Sequence, residues 1–511
     1  MNLIPIQIAE AIDLVRAETV LCLAASLFFL LAVTVTFSAR TWGRVSLVVL
    51  LFALWLLPTN TRETPVSLAA AFRLDDFSIF ARWLSLALGL LFVLLSQDSA
   101  PEQYAAEFYG CVFLVIAGLG LASAANDLIM LFLALELVSI PTYILLYLQR
   151  VDQPAQEATT KYFFLSVFSA VLFLYGLSLL FGATGTTNLE AIRAALTMAN
   201  QNPDGPGLPA ILLISLVMMT AGLCFRLTAA PFHFYAPDVY QGAPLLAVTL
   251  LALVPKVAGV IGLYQLVSAT LLAPGGPVLV SALTSQAGGL FWILALASMI
   301  VGNFIGLWQD NLKRLLAYSG VAHAGYMLVG FAVGMQSGVL VDGLSAVLFY
   351  VVIYTLMTLG AFAVVVALET RERPIRTIDD LAGLGKSHRG LAFVLAVCLF
   401  SLTGLPPTAG FLAKLNLFLA AWSTEQRHYQ LLALLMALNA AVGAWYYLRI
   451  VGVMYLRDAV KPLQPRPNRP AYLVAAFCGF FLLYLFVSPG GLSSASNRAS
   501  RQFAASASAK P

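Results

Sequence analysis

Long apolar runs recur along the whole chain of 511 residues and are separated only by short polar or Pro- and Gly-rich segments. A helix crosses the hydrocarbon core of a bilayer with about 20 apolar residues, and its backbone polar groups are satisfied within the helix. The runs therefore predict an all-α polytopic membrane protein with about fourteen transmembrane helices. We place the spans at 19–37, 44–57, 77–96, 106–124, 127–148, 162–182, 208–230, 244–272, 287–308, 313–334, 340–368, 391–422, 429–456 and 470–488.

The scarcity of charge excludes several classes of protein. Charged side chains make up 10% of the residues and hydrophobic ones 60%, whereas soluble domains carry about 25% charged residues. A soluble enzyme and a disordered chain are therefore excluded, and the net charge of +4 is too small to indicate a nucleic-acid partner. The five cysteines stand singly inside apolar runs, so the sequence supports no disulfide framework and no iron–sulfur or zinc site.

The distribution of Lys and Arg predicts the orientation in the membrane. Fifteen of them lie in the odd-numbered connections between spans, and eight lie in the even-numbered connections and the two termini. Because cytoplasmic loops carry an excess of Lys and Arg, we expect the odd-numbered connections in the cytoplasm. Both termini are then expected on the outer, periplasmic side of a bacterial inner membrane. The first apolar run follows no basic segment, so we expect it to stay as a helix.

Helix-breaking residues interrupt the chain at two places. One lies in RLTAAPFHFYAPDVYQGAP, at the seventh and eighth spans, and the other in SLTGLPPTAGFLAKLNLF, within the twelfth. Seven and twelve differ by five helices, and a five-helix repeat must be inverted because five is odd. Paired broken helices in inverted repeats indicate an ion site near the membrane midplane, whereas a lone Pro or Gly merely kinks a helix. The interrupting residues are Pro231, Pro237, Pro244, Gly404, Pro406, Pro407 and Gly410.

These interruptions suggest how the single membrane domain is organised. We expect two inverted five-helix repeats, each containing one broken helix, between three N-terminal helices and one last helix. The expected segments are the N-terminal helices at 1–103, the first repeat at 104–272, the second repeat at 287–456, helix 14 at 470–488 and a flexible tail at 489–511.

Several ionisable side chains fall inside these spans, where a charge costs about 2.5–3.5 kcal/mol. Glu136 is the only acid deep inside a predicted span, whereas Arg82 and Arg449 lie nearer span ends. For these two arginines we favour structural ion pairs or side chains that reach the membrane surface. A series of carboxylate, amine and imidazole groups is able to pass protons. The further candidates for such a path are Lys256, Lys414, His233, His323 and Lys161, the last of which is either a surface anchor or a member of the path.

Four segments resemble signature segments of a known family. They extend over about residues 104–456 and read ALELVSIPTYIL, PFHFYAPDVYQGAP, NLKRLLAYSGVAHAGYML and LTGLPPTAGFLAKLNLF. They resemble the antiporter-like membrane subunits of respiratory complex I, a family shared with multisubunit cation/proton antiporters, and most of all its subunit N branch. The resemblance implies fourteen helices, inverted repeats of helices 4–8 and 9–13, and one half-channel per repeat joined by a central line of polar groups.

The resemblance also implies roles for individual residues. Glu136, Lys256 and Lys414 match the proton-translocating glutamate and lysines of the family, and the lysine that pairs with the glutamate falls here on Arg226. Arginine effectively cannot lose its proton. We therefore expect Arg226 to be a fixed positive charge beside Glu136, and the proton to pass through Lys256, water and His233. Further positions on the polar line are matched by Lys161, His233 and His323.

The function expected from these features is proton translocation within a complex I-type NADH–quinone oxidoreductase, a translocase. The chain has no motif for an electron carrier, so NADH, FMN, iron–sulfur clusters and quinone are expected in partner subunits and no cofactor or metal in this one. Expected partners are the neighbouring antiporter-like and small membrane subunits and the lipid bilayer. One alternative is a subunit of a multisubunit Na⁺/H⁺ antiporter. Another is a non-transporting scaffold, which would not need lysines at lipid depth.

Overall fold

The structure is a bundle of mostly long, apolar α-helices joined by short connections. The computed structural model describes residues 11–58, 71–148, 152–201, 210–271, 281–334, 341–369, 374–459 and 468–505. Twelve of the described helices have at least 18 residues and are apolar enough to cross a membrane. A helix of 17 residues at Ala39–Trp55 and the broken pair Arg389–Thr403 and Ala409–Trp422 complete the fourteen predicted spans.

The helices are labelled in chain order. They are α1 (Arg16–Thr34), α2 (Ala39–Trp55), α3 (Asp76–Ser96), α4 (Ala105–Ala124), α5 (Leu128–Leu148), α6 (Gln153–Thr184), α7 (Leu189–Gln201), α8 (Ala210–Leu227), α9 (Ala236–Gly242), α10 (Leu245–Thr270), α11 (Ser281–Leu307), α12 (Leu312–Val333), α13 (Gly343–Leu368), α14 (Leu384–Ser387), α15 (Arg389–Thr403), α16 (Ala409–Trp422), α17 (Arg427–Leu456), α18 (Arg469–Val487) and α19 (Gly490–Ala505).

Both predicted interruptions are present, and each falls in the fourth span of a five-span set. In the first set α8 ends at Leu227, and the chain turns before the short helix α9. In the second set α15 ends at Gly404, which is left-handed with φ 86°, and α16 begins at Ala409. Helix ends inside the bundle leave carbonyl groups without intrahelical partners. The two breaks therefore place polar backbone groups within the protein.

Three helices form the enclosed centre of the bundle. In α10 and α12 the whole apolar stretch is buried, and in α13 89% of it is buried. By contrast, α1 has 28% of its apolar stretch buried, so most of its surface faces outward. Lys256 on α10 and His323 on α12, each 1% exposed, are therefore surrounded by protein.

Helix α7, between the sixth and seventh spans, was not expected from the sequence. Its apolar residues Leu189, Ile192 and Leu196 recur at helical spacing and are buried, which is the pattern of an amphipathic helix. Arg193 on this helix is 9% exposed and donates from Nε to the carbonyl of Ser268, 3.0 Å away. This even-numbered connection is thus a packed element.

The prediction of a flexible tail at 489–511 is wrong for the part that is described, because α19 is a helix packed against α3 and α13. Its small residues Ser496 and Ala499 are fully buried. The hydroxyl of Tyr264 donates to the carbonyl of Ala499 over 2.7 Å. Small side chains let helix backbones approach closely, so a Ser- and Ala-rich segment that looks polar and featureless can still pack as a helix.

The odd-numbered connections, which carry most of the Lys and Arg residues, lie at one end of the bundle, and we call this the basic end. A wide cavity of about 1780 Å³ opens there. It lies between the N-terminal helices and both five-span sets. Polar side chains on its wall include Arg40, Glu102, Lys161, Asp238 and Arg376.

Candidate functional site

The Glu136 carboxylate and the Arg226 guanidinium form an ion pair between α5 and α8. Arg226 Nη2 lies 2.8 Å from Glu136 Oε1, and Nη1 donates to the carbonyl of Leu135 at 3.0 Å and to the hydroxyl of Ser139. The arginine side chain is 7% exposed and the glutamate 20%. All three acceptors are on α5, so the Arg226 guanidinium on α8 fixes the position of one helix relative to the other. The predicted pairing is thus present.

Lys256 lies on α10 and binds the broken end of α8. Its ammonium group donates to the hydroxyl of Thr228, to the carbonyl of Gly320 at 3.0 Å and to the carbonyl of Leu227 at 3.4 Å. It also lies 5.7 Å from the centre of the Tyr354 ring. The residue is 1% exposed, and its hydrogen-bond acceptors in the described part of the chain include no carboxylate. Lys256 is thus bound by neutral carbonyl and hydroxyl groups, which offset the cost of burying an ammonium ion less well than a carboxylate would.

Lys414 repeats this arrangement at the second break. Its ammonium group donates to the carbonyls of Leu402 and Thr403, each 2.8 Å away, at the end of α15. The negative end of a helix dipole favours a cation at this position. Gly404 makes the approach possible, because a Cβ atom there would lie 2.8 Å from the Lys414 Cδ atom. In both five-span sets, a lysine is thus bound by carbonyl groups at the end of the first half of the broken helix.

His323 lies between these two lysines, on the enclosed helix α12. Its ring centre is 5.4 Å from that of Tyr354, the ring that Lys256 faces. It is also 5.5 Å from that of Tyr326, the ring that Lys414 faces. Its ring nitrogens contact the hydroxyls of Tyr350 and Tyr447 at 2.6 and 3.2 Å. We call Glu136, Arg226, Lys256, His323 and Lys414 the buried polar chain.

The sequence did not reveal the tyrosines around His323. Four of them, on α12, α13 and α17, contact its ring, and an aromatic side chain on an apolar helix is normally assigned to packing. The available signal was the paired Tyr446 and Tyr447 in GAWYYLRI, which places two phenols side by side in one span. The four are Tyr326, Tyr350, Tyr354 and Tyr447.

His233 lies just after the first break, at the side of the buried polar chain. Its ring centre is 6.5 Å from that of Tyr318, and Nδ1 is buried without a hydrogen-bond partner among the described residues. The contacts found in the described part of the chain do not join His233 to Lys256 or Arg226. The expected passage from Lys256 to His233 therefore stays a prediction that requires intervening water.

Lys161 lies on the wall of the cavity at the basic end, apart from the buried polar chain. Its ammonium group is 2.7 Å from Glu157 and 3.0 Å from Asp238, and its side chain is 40% exposed. The other oxygen of Asp238 is 2.7 Å from Arg314 on α12. Lys161 therefore belongs to a partly exposed charged cluster that links α6, α9 and α12, and these are the surroundings expected of a surface anchor.

A second acid–arginine pair was missed in the sequence. Glu18 accepts two hydrogen bonds from Arg82, at 2.7 and 2.6 Å, and the two side chains are 4% and 1% exposed. Glu136 is therefore not the only acid inside a span. The apolar run in the sequence begins at residue 19, whereas α1 begins at Arg16, so hydropathy places Glu18 in the polar N-terminal segment. The expectation that Arg82 forms a structural ion pair is consistent with this contact.

Fold and site together define a class of protein. A multi-pass helical bundle contains a broken helix in each of two five-span sets, and buried lysines are bound at both breaks. This is the construction of a membrane protein that translocates ions.

Comparison with known proteins then identifies the family. A family model described as NADH:quinone oxidoreductase/Mrp antiporter, TM, matches residues 125–439, and the chain belongs to this family. It is 37% identical over 449 residues to NADH-quinone oxidoreductase subunit N of Trichlorobacter lovleyi, with 87% of this chain and 88% of that protein covered. It is also 37% identical over 465 residues to NADH-quinone oxidoreductase subunit N 1 of Rhizobium meliloti, with 90% and 91% covered.

Solved structures agree with this assignment. A chain of respiratory complex I from Thermus thermophilus with bound aureothin is similar with a TM-score of 0.76 and 29% identity, covering 94% of this chain and 98% of that one. A chain of the Mrp complex from Dietzia sp. is similar in fold with a TM-score of 0.79 at 19% identity, covering 99% and 98%. The resemblance to antiporter-like membrane subunits of complex I, nearest to subunit N, is confirmed.

Proposed function

We propose that this chain is a proton-translocating membrane subunit of a complex I-type NADH–quinone oxidoreductase in a bacterial membrane. The single observation that carries the proposal is that Lys256 and Lys414 are each bound by carbonyl groups at a broken helix, with His323 beside the tyrosine rings that both lysines face. Groups that exchange protons are thus lined up inside protein at lipid depth. The names of the relatives support the assignment to complex I. We infer that NADH, FMN, iron–sulfur clusters and quinone are bound by partner subunits, because this chain carries no motif for an electron carrier.

In the proposed mechanism the residues of the buried polar chain have different roles. Arg226 is a fixed positive charge paired with Glu136. Because Lys256 binds the carbonyl of Leu227, the residue next to Arg226, movement of the Glu136–Arg226 pair changes the field at Lys256. A change in this field alters the proton affinity of the lysine and sends its proton towards His323 and Lys414.

The orientation proposed for the chain follows from its basic end. With the odd-numbered connections in the cytoplasm, both termini lie on the periplasmic side. The cavity lined by Lys161 and Asp238 then opens to the cytoplasm and provides a hydrated approach for protons to the first break.

The driving reaction separates this proposal from the Na⁺/H⁺ antiporter alternative. Inverted vesicles that contain the complex are expected to take up protons when NADH is added, and to do so without added sodium. A dye whose fluorescence is quenched on acidification measures the uptake. Purification of the complex through a tag on this chain should also recover flavin and iron–sulfur clusters. Uptake that depends on sodium and is indifferent to NADH would favour the antiporter.

Arg226 provides a further prediction. Arg226→Ala leaves the Glu136 carboxylate without its cation, and we expect NADH-driven proton uptake to fall at least about tenfold. Arg226→Lys keeps a positive charge and is expected to retain most of the uptake. Arg449→Ala is the matched control, since Arg449 pairs with Asp310 where the two side chains are 34% and 75% exposed. Unchanged uptake in Arg226→Ala, measured by dye quenching, would remove this arginine from the mechanism.

A further inference from the structure

The two ring nitrogens of His323 both contact phenol hydroxyls. Nδ1 is 2.6 Å from the hydroxyl oxygen of Tyr350, and Nε2 is 3.2 Å from that of Tyr447. The hydroxyl of Tyr447 is in turn hydrogen-bonded to that of Ser319. Ser319, Tyr447, His323 and Tyr350 therefore form one continuous hydrogen-bonded series, which we call the hydroxyl relay.

A histidine with a purely structural role usually has its tautomer fixed. One ring nitrogen then donates to a carbonyl or carboxylate oxygen, which only accepts, so the other nitrogen must accept. Here both partners are hydroxyls, and a hydroxyl donates or accepts according to its rotation. Both neutral tautomers of His323 are therefore equally satisfied by Tyr350 and Tyr447.

We propose that Tyr350 and Tyr447 are relay residues that pass a proton through the two nitrogens of His323, on the path between Lys256 and Lys414. This proposal deepens the function proposed above and rests on it. Three of the four relay groups belong to residues that are at most 2% exposed, and Ser319 is 3% exposed. Because these four groups are nearly inaccessible to solvent, the protein itself supplies the hydrogen bonds that join them to one another.

The transfer is balanced within the hydroxyl relay. The Tyr447 O–H bond breaks as an N–H bond forms at Nε2, and Tyr447 regains a proton from the Ser319 hydroxyl. The N–H bond at Nδ1 breaks as the Tyr350 oxygen receives that proton and releases its own. One proton enters at Ser319 and one leaves at Tyr350, with no change in oxidation state. The ammonium group of Lys256 is the donor and the neutral amine of Lys414 the final acceptor, with water completing the gaps.

The positions of the two lysines fit this route. Lys256 binds the carbonyl of Gly320, the residue next to Ser319, at 3.0 Å. Lys414 lies 4.7 Å from the centre of the Tyr326 ring, and the Tyr326 ring is 5.5 Å from that of His323. The hydroxyl relay thus begins beside Lys256. It also packs against Tyr326, the residue that contacts Lys414. Because each hydroxyl is able to reverse its direction, the relay works either way.

Phenylalanine substitutions test the proposal in the intact complex. Tyr447→Phe and Tyr350→Phe each remove one oxygen atom and keep the ring, so we expect assembly to be preserved and NADH-driven proton uptake to fall about tenfold. The matched control is Tyr455→Phe, on the same helix as Tyr447 but 40% exposed, which is expected to be indifferent. Uptake is measured per assembled complex in vesicles, in H₂O and in D₂O.

The isotope effect separates a relay from a packing role. If the missing hydroxyl makes proton transfer limiting, the ratio of uptake in H₂O to that in D₂O should rise above that of the unsubstituted complex. A packing defect would lower the amount of active complex and leave this ratio unchanged. Uptake and ratio equal to those of Tyr455→Phe in both variants would overturn the hydroxyl relay. Lys256→Ala tests the proposed function separately from the hydroxyl relay. If this variant still pumps protons, the proposed function itself is wrong.

Discussion

Lys256→Ala is expected to abolish the share of NADH-driven proton uptake that passes through this chain, a loss of at least about tenfold. The ammonium group of Lys256 binds one hydroxyl and two carbonyls at the first break, and an alanine leaves no group there that binds a proton. Lys414→Ala removes the corresponding group at the second break and should have a similar effect. The measurement is dye quenching in vesicles, normalised to the amount of assembled complex.

Two controls make this test specific. Lys386→Ala removes a lysine that is 72% exposed and paired with Asp458, which is 86% exposed, and it should leave uptake unchanged because surface pairs contribute little. Lys256→Arg keeps the positive charge in a group that does not release its proton, so it should fail to pump if exchange at Lys256 is required. Normal assembly together with normal pumping in Lys414→Ala and Lys256→Ala would instead revive the scaffold alternative.

Much of this architecture could be predicted from the sequence because it follows from local rules. Each span needs enough consecutive apolar residues, and each break needs Pro or Gly, so both were visible as runs and interruptions. The pairing of Glu136 with Arg226 rested on the resemblance to a family, and the contact is present at 2.8 Å. The binding of Lys414 by carbonyl groups follows from its place directly after a break, where a helix end leaves such groups free.

The parts that the sequence did not predict depend on long-range contacts or on polar groups that look apolar. Tyr447 and His323 are 124 residues apart in the chain, and a tyrosine in an apolar run carries no visible charge. Hydropathy does not predict helix α19, because a segment rich in small residues such as Ser and Ala has the hydropathy of a loop even when it packs as a helix. Glu18 was assigned to the wrong side of a span boundary, and such boundaries are the least certain feature of a hydropathy pattern.

The buried pair of Glu18 and Arg82 leads to the largest expected effect on stability. Both side chains are almost fully buried, between α1 and α3. Arg82→Met leaves the carboxylate without a partner, and breaking such a pair costs about 3–5 kcal/mol. We expect the melting temperature of the purified complex to fall, with α1 separating first, because most of its surface does not pack on the rest of the chain.

The double variant distinguishes a structural pair from one that exchanges protons. Glu18→Leu combined with Arg82→Met removes both charges together, and replacing a buried ion pair by apolar residues is often neutral or stabilising. The melting temperature should therefore recover, and proton uptake per complex should equal that of the unsubstituted protein. Arg16→Ala, on the same helix but in an exposed pair with Asp13, should stay within about 0.5 kcal/mol throughout. If the double variant is as stable as the native chain but no longer pumps, Glu18 and Arg82 belong to the proton path, and that path then extends into the N-terminal helices.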